Sequence, residues 1–541
     1  MIRLGRIDFR GCVALAAALL AGCGGGIPDV EEATAQGVLL KGNGSEPKTL
    51  DPQVATGVTE NKIISSLIEG LIAYHPTDDE LPEPGVAERW EPNEDYSEWT
   101  FFLREDALWS NGDPVTAHDF VWSYERMLTP EFGAEYVEML YSMENAEEFH
   151  RGELTDFSAV GVEALDERTL RIRLVGPTPF FLGMLKHYAW YPVHPPTVEA
   201  YGTGRLDRSS PWTLQGRFVG NGPFVLEEWR VNQYIRVTKS PTYWDRDRVR
   251  LNEIYFMAIE DVNTEQRMYA SGRLHVTNTV PSNDISNLRR TRPDELRLEP
   301  YLGTYFYRFN TTRPPFDDAR VRRALAMSMD REAIVNRVTL GDQTPAYAFV
   351  PPGFDDFPRR RLVAHDPEAA RRLLAEAGFP EGHGFPRKFL LFNTLEDHRK
   401  IAEAVVSMWN RELGIDFQLE NKEWRVYLEA QSQLDFDLSR AGWIGDYMDP
   451  ITFLELWTSD NGNNNTGWSN ERYDELIRKA FRSETQEEHY AALIEAEEIL
   501  MEAMPVIPVY HYNRIYLIRP EVRGWNPKLL DNRPYKYLYL E

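Results

Sequence analysis

Cysteine is almost missing from this chain: 541 residues contain two, Cys12 and Cys23, both at the extreme N-terminus. Beyond residue 23, no disulfide and no cysteine-built zinc site is possible. Long apolar runs are also lacking. Val13 to Ala21 is too short to span a bilayer as a helix, and no later segment is long and apolar enough. Positive charge is scarce: 59 Lys and Arg stand against 85 Asp and Glu, a net charge of −26. That balance argues against nucleic acid as a partner and against an electrostatic grip on anionic lipid. Enzyme signatures are absent: there is no HExxH, GxSxG or GxxxxGK, and no cysteine nucleophile past Cys23. Gly42-Asn43-Gly44 is not a dinucleotide fingerprint, because Pro47 replaces the third glycine and no helix start follows. No catalytic residue, cofactor or metal is expected.

What is present begins with an address. Arg3, Arg6 and Arg10 precede the short apolar run, and Leu20-Ala21-Gly22-Cys23 follows it. The order resembles a bacterial lipoprotein signal, in which small residues precede a lipidated cysteine. It implies a signal peptide over 1–22 and a membrane anchor at Cys23, with lipid rather than basic residues holding the protein to a membrane. Residues 23–37, with three consecutive glycines and little apolar content, read as a flexible tether.

The length predicts two or three domains. Aromatics reach 12%, with 14 Trp and 26 Tyr, which suits large cores and apolar ligand pockets alike. Asn61 to Ala73 predicts an amphipathic helix, with Ile63, Ile64, Leu67, Ile68 and Leu71 on one stripe. Thr116 caps a helix to about Met127, after an Asn111-Gly112 turn. Arg387–Asn393, Asp397–Leu413 and Asp416–Glu420 read as strand, helix and strand, which implies a parallel pair. Val506–Tyr512 and Ile515–Ile518 close the chain as two strands.

One stretch, Asp435 to Pro450, gathers the most chemistry. It starts as an alternating strand, with Phe436, Leu438 and Arg440 on one face. A guanidinium on such a row needs an anionic partner. The strand is expected to open into a loop carrying Gly442, Trp443, Gly445, Asp446 and Tyr447. A cation, an anion, two large aromatics and bare backbone within a few residues suit a zwitterionic peptide.

Longer strings carry a resemblance. They are Leu50-Asp51-Pro52, the run Trp109 to Val121 (WSNGDPVTAHDFV), Ser240 to Trp244 (SPTYW), Tyr305 to Asn310 (YFYRFN), Pro314 to Leu325 (PPFDDARVRRAL) and Met329-Asp330-Arg331. With these the chain resembles the peptide-binding family of extracytoplasmic solute-binding proteins, the oligopeptide and dipeptide receptors of ABC importers, from Val38 to the C-terminus. The resemblance implies an α/β fold of the two-lobed periplasmic-binding-protein type, with an extra domain and the ligand buried between lobes. It implies lobe I from 38–68, 200–298 and 515–541, the extra domain from 69–199, and lobe III from 299–514. The partners would be a peptide, the permease subunits of an importer and, through lipid, a membrane of the periplasm or cell envelope; the receptor would be a monomer.

By the same resemblance, Asp446 pairs with the ligand's α-ammonium, and the backbone of Gly442 and Trp443 holds the peptide as an added strand. Arg440 matches a position that reaches ligand carboxylates; an internal salt bridge fits it equally well. His398, at the start of its helix, sits where an anion is favoured, or is a turn residue with no ligand. Trp424 and Trp443 wall a side-chain pocket or pack in a core, and Tyr447 belongs to the same group. Gly57 and Val58 match backbone facing the ligand from lobe I. Thr56, Gln431 and Arg308 depart from the family's usual polar lining. Other cargo on the same fold (a metal chelate, haem, a sugar or a cell-wall peptide) remains open, as do a periplasmic signalling or chaperone-like role and a peptide hydrolase built from unrecognised carboxylates.

Overall fold

The computed structural model describes residues 26–541, so the signal sequence and Cys23 lie outside the described residues. Among the described residues the chain builds two main sheets, a smaller four-stranded one and two two-stranded ribbons. The first has four strands in the order Val38–Gly44, Glu253–Ala258, Tyr234–Lys239 and Phe224–Arg230. Its first pair is parallel and the others antiparallel. The second has six strands, in the order Thr344–Pro345, Val506–Leu517, Leu296–Phe309, Leu438–Ile444, Lys388–Asn393 and Phe417–Lys422. The small sheet, from Ala87–Pro92, Glu98–Leu103, Thr169–Arg173 and Val162–Ala164, is antiparallel. Its second strand buries Trp99, Phe101 and Leu103 while the residues between are less buried, as a period of two requires.

Lys388–Asn393 and Phe417–Lys422 pair in parallel, joined by the helix Glu396–Leu413. Its buried stripe of His398, Ile401, Ala402, Val405, Met408, Trp409 and Leu413 packs on the sheet. The Thr116 helix runs from Ala117 to Leu128, and the Asp119 carboxylate accepts the Thr116 N–H at 2.9 Å.

Three expectations are corrected. Residues 23–37 are not a tether throughout. Val30–Gln36 is a helix: Asp29 accepts the Glu32 N–H at 3.0 Å, Gly37 ends it at φ 69°, and Val30 and Ala33 are buried. Polar composition concealed a cap and two core contacts. The helix expected over 61–73 instead spans Val58–Leu67 and gives way to the strand Ile72–Tyr74. Finally, Val506–Leu517 is one strand, not two. Its polar Asn513-Arg514 interrupts the apolar pattern because Arg514 pairs with buried Asp531 at 2.8 Å.

That long strand and Leu296–Phe309 run together between the lobes. Residues 296–300 pair with 513–517, and 304–308 with 506–511, with the register broken between Pro300 and Thr304. Bridges from Val276 to Ile518 and to Lys41 tie their far end to the first sheet. These two strands connect the lobes, and the break in register marks the place where the connection is least tied by ladder hydrogen bonds.

The Leu50-Asp51-Pro52 motif is a domain joint. Arg126, fully buried on the Ala117–Leu128 helix, reaches Asp51 at 2.8 Å and Gln53 at 2.5 Å, and stacks on Phe132 at 4.2 Å. Removing one member of such a pair strands a buried charge, so Arg126→Ala should cost about 3–5 kcal/mol of stability. Chemical denaturation of the variant checks this; a loss under about 1 kcal/mol would show that the joint is solvated.

Candidate functional site

The strand Leu438–Ile444 is the spine of the site. It runs beside Leu296–Phe309 for its whole length, Leu438 opposite Phe309 and Ile444 opposite Gly303. On its other side, Lys388–Asn393 pairs only with Leu438 and Ser439. The edge from Arg440 to Ile444 is therefore free of sheet partners. Gly442 and Trp443 lie within this strand rather than in a loop, because seven consecutive residues hold register with Leu296–Phe309. Gly442 is required there: a Cβ would stand 2.4 Å from the Tyr512 hydroxyl.

Beside the free edge lies a cavity between the lobes, of about 680 Å³ when its space open to solvent is counted. Thr56, Gly57 and Val58 approach from the first lobe; Trp424, Gly442, Trp443 and Asp446 from the second; Tyr136, His187 and Tyr188 from the segment that carries the small sheet. Six of the sequence-derived site residues thus meet in one place: Gly57, Val58, Trp424, Gly442, Trp443 and Asp446. The Trp443 ring lies 5.9 Å from Tyr136, and its Nε1 donates to the Thr452 carbonyl at 2.8 Å.

Asp446 is buried, and its surroundings are polar but uncharged. Tyr136 Oη donates to Oδ1 at 3.5 Å, and His187 Nε2 stands 3.3 Å away. His187 Nδ1 accepts the Ala189 N–H at 3.3 Å, which places the ring proton on Nε2, facing the carboxylate. Burial pushes the His187 pKa down to about 3, so the ring is neutral. Among the described residues, no Lys or Arg comes within 4.0 Å of the Asp446 carboxylate. Burial, and then the Glu455 carboxylate, raise its pKa well above the usual carboxylate range.

The other candidates fall elsewhere. Tyr447 points away from the cavity: its hydroxyl donates to Glu455 at 2.7 Å and its ring stacks on Phe180 at 5.9 Å. It is a core residue, reversed from Asp446 by one step along the chain. Arg440 lies outside the cavity wall and has no salt bridge among the described residues. Its guanidinium donates to the Tyr512 hydroxyl at 2.7 Å and to Asn393 Oδ1 at 3.3 Å, and lies 4.7 Å from the Tyr305 ring; Nε is buried without a partner. The internal salt bridge expected as one of its roles is absent from this structure. His398 adjoins the same group, its ring 5.6 Å from Tyr305 and its Nδ1 unpartnered. Burial and the Arg440 charge keep it neutral, well below the ordinary histidine range. Tyr512 connects this group to the cavity, because it touches Gly442 and lies 6.1 Å from cavity-lining Tyr301.

Of the departures, Gln431 is internal and donates to the Arg440 carbonyl at 2.9 Å, and Arg308 is buried, reaching the Asn463 carbonyl at 3.3 Å. Tyr136, His187, Tyr188, Asn532 and Tyr301 were not found from sequence. They come from irregular segments and the register break, with no periodicity to mark them.

Residues 82–465 match the family described as bacterial extracellular solute-binding proteins, family 5, middle part. This chain belongs to that family. The solute-binding protein is 37% identical over 518 residues to the periplasmic oligopeptide-binding protein OppA of Salmonella typhimurium, covering 93% of this chain and 92% of the relative. It superposes on Haemophilus influenzae OppA in complex with the peptide RPPGFSPFR with TM-score 0.87 and 32% identity, covering 93% and 99% of the two chains. The murein tripeptide binding protein MppA of Escherichia coli gives TM-score 0.87 and 35% identity, covering 93% and 98%. The unliganded open form of MppA gives 0.62 at 34% identity, covering 93% and 97%. The lobes of this solute-binding protein therefore stand nearer the arrangement of the peptide complex than that of the open, unliganded form. The family consists of binding proteins, not enzymes.

Proposed function

We propose that this solute-binding protein captures peptides in the closed cleft and hands them to an ABC importer. The observation that carries the reading is Asp446: a buried carboxylate in a ligand-sized cavity, with neutral neighbours and no cation of its own. A peptide's α-ammonium supplies the missing charge in a charge-assisted bond. The free edge from Arg440 to Ile444 takes the peptide backbone as an added strand. Gly57 and Val58 face it from the first lobe, and Trp424 and Trp443 flank its side chains. Arg440, with His398 beside it, is the seat for a carboxylate of the ligand, entered past Tyr512. Arg440 lacks an acid for the same reason that Asp446 lacks a base. The lipoprotein-like signal supports attachment through Cys23 to a membrane of the periplasm or cell envelope. Relatives named periplasmic oligopeptide-binding proteins support the cargo.

Mass spectrometry of ligand retained on purification tests the reading. Peptides should be recovered, and mixed peptides should raise the melting temperature; finding neither would reject it.

Binding should also move a proton. Burial in the closed cleft raises the Asp446 pKa, and an arriving ammonium lowers it again, so below that raised pKa binding expels a proton. Affinity for free-amine peptides should therefore rise with pH across the range where Asp446 ionises, and fall again above about pH 8 as the peptide ammonium deprotonates. Calorimetry in buffers of different ionisation heat, repeated across pH, should show proton release on peptide binding that fades as pH rises past the Asp446 pKa. No release would mean that Asp446 is already ionised.

A further inference from the structure

A second cavity, partly open to solvent and of about 640 Å³ when that open space is counted, lies between the extra domain and the second lobe, on the far side of a thin partition from the peptide cleft. The partition is made of two short segments. Along Tyr136-Val137-Glu138, Tyr136 lines the cleft and Glu138 the second cavity. Across from it, Tyr447 and Glu455 are joined by their 2.7 Å hydrogen bond, and Glu455 faces the second cavity. Neither Glu138 nor Glu455 lines the cleft.

The chemistry of this cavity is specific. Its walls are Tyr141 and Val175 from the extra domain, and Ile477 and Phe481 from the helix Glu471–Phe481 of the second lobe. Its inner end holds two buried carboxyl groups. Glu138 Oε1 accepts the Gly462 N–H at 2.5 Å, while Oε2 is buried with no partner. Glu455 keeps only Tyr447 as a side-chain partner. Three arginines also line the cavity, Arg151, Arg478 and Arg482, but no Lys or Arg among the described residues pairs with Glu138 or Glu455; Arg151 is taken by Glu147 at 2.8 Å and by Asp460. Burial raises both carboxyl groups to about 8, so each gains from a cation that enters with it.

We propose that this cavity is a second ligand site, which takes a primary ammonium carried on an aromatic or branched apolar body. The apolar part fills the space between Val175, Ile477 and Phe481, and the ammonium meets Glu138 and Glu455. The walls come from both sides of the closed protein, so an occupant contacts them together only when the lobes are shut. By linkage it favours closure and slows peptide release, and bound peptide in turn tightens the second site.

The test uses 2-phenylethylammonium as probe, with calorimetry and ligand-observed NMR on the full protein. Four results are expected. Saturable binding occurs and is tighter with peptide bound. Glu138→Gln, which keeps the Gly462 contact, weakens it at least 10-fold. Ile477→Trp, which fills the cavity, abolishes it. Asp446→Ala binds the probe at native affinity. Uncharged 2-phenylethanol should compete poorly. Loss of probe binding in Asp446→Ala would place the amine in the peptide cleft and overturn the proposal, as would binding untouched by both Glu138→Gln and Ile477→Trp, or no saturable binding. If peptides fail to bind while the probe obeys the Glu138 and Ile477 pattern, the peptide reading falls and this site stands.

Discussion

Asp446→Ala should lower the affinity for free-amine peptides by about 2–5 kcal/mol, roughly 1.5 to 3.5 orders of magnitude, and leave N-acetylated peptides nearly unaffected. The size follows from the isolation of the pair. The carboxylate is buried, its neighbours Tyr136 and His187 are neutral, and no protein cation lies within 4.0 Å. A ligand ammonium therefore brings Asp446 a positive charge that no Lys or Arg among the described residues supplies within 4.0 Å, and without Asp446 that ammonium is desolvated with no carboxylate beside it. Asp446→Asn refines the test. It keeps the shape and the Tyr136 contact but removes the charge, so its loss should approach that of alanine. It should also abolish proton release on binding. Equal affinity of the native protein for free and acetylated peptides would remove the ammonium from this position. The empty variant should be no less stable than the native protein. Asp446 carries a raised pKa, so its contribution to stability is complete at low pH and is lost as pH rises through that pKa.

How much of this could be read beforehand depends on whether the signal was local. The helix Glu396–Leu413 and its parallel strands were legible because one apolar stripe and two short apolar runs lie in a single stretch. Asp446, Trp443 and Gly442 were legible as a group because they occupy one strand and the turn after it. Tyr447 misled for the same reason: adjacency in sequence says nothing about facing, and one residue past Asp446 the side chain points into the core, towards Glu455. Tyr136, His187 and Tyr188 could not be read. They enter from more than 250 residues away, in irregular segments whose composition resembles any loop. Asp51 shows the opposite case: its motif was visible, but its partner Arg126 is fixed only by how the extra domain docks. The polar pair Asn513-Arg514 split one long strand into two on paper, because the anion that accommodates Arg514 is Asp531, from the next segment of chain.

Arg440→Met should act in opposite directions on the empty and the loaded protein. When a buried arginine has an acid beside it, removing it strands the acid and costs about 3–5 kcal/mol. Arg440 has no such acid; its contacts are the Tyr512 hydroxyl, Asn393 and the Tyr305 ring, and its Nε is unpartnered. The empty protein thus bears a desolvated charge that is only partly compensated. An unbranched apolar side chain of similar length should leave stability unchanged or raise it, by up to about 4 kcal/mol. Removing the charge also frees His398, now held neutral in part by Arg440, to protonate at a higher pH. For ligands whose carboxylate reaches past Tyr512, affinity should fall by about 2–5 kcal/mol. The same peptides as C-terminal amides should bind the native protein and the variant alike, so the ratio of acid to amide affinity isolates the role of the guanidinium from any general disturbance. Thermal denaturation without ligand supplies the other half. A lower melting temperature, with acid and amide peptides weakened equally, would show that Arg440 holds the Tyr305, Tyr512 and His398 cluster together and does not receive a ligand.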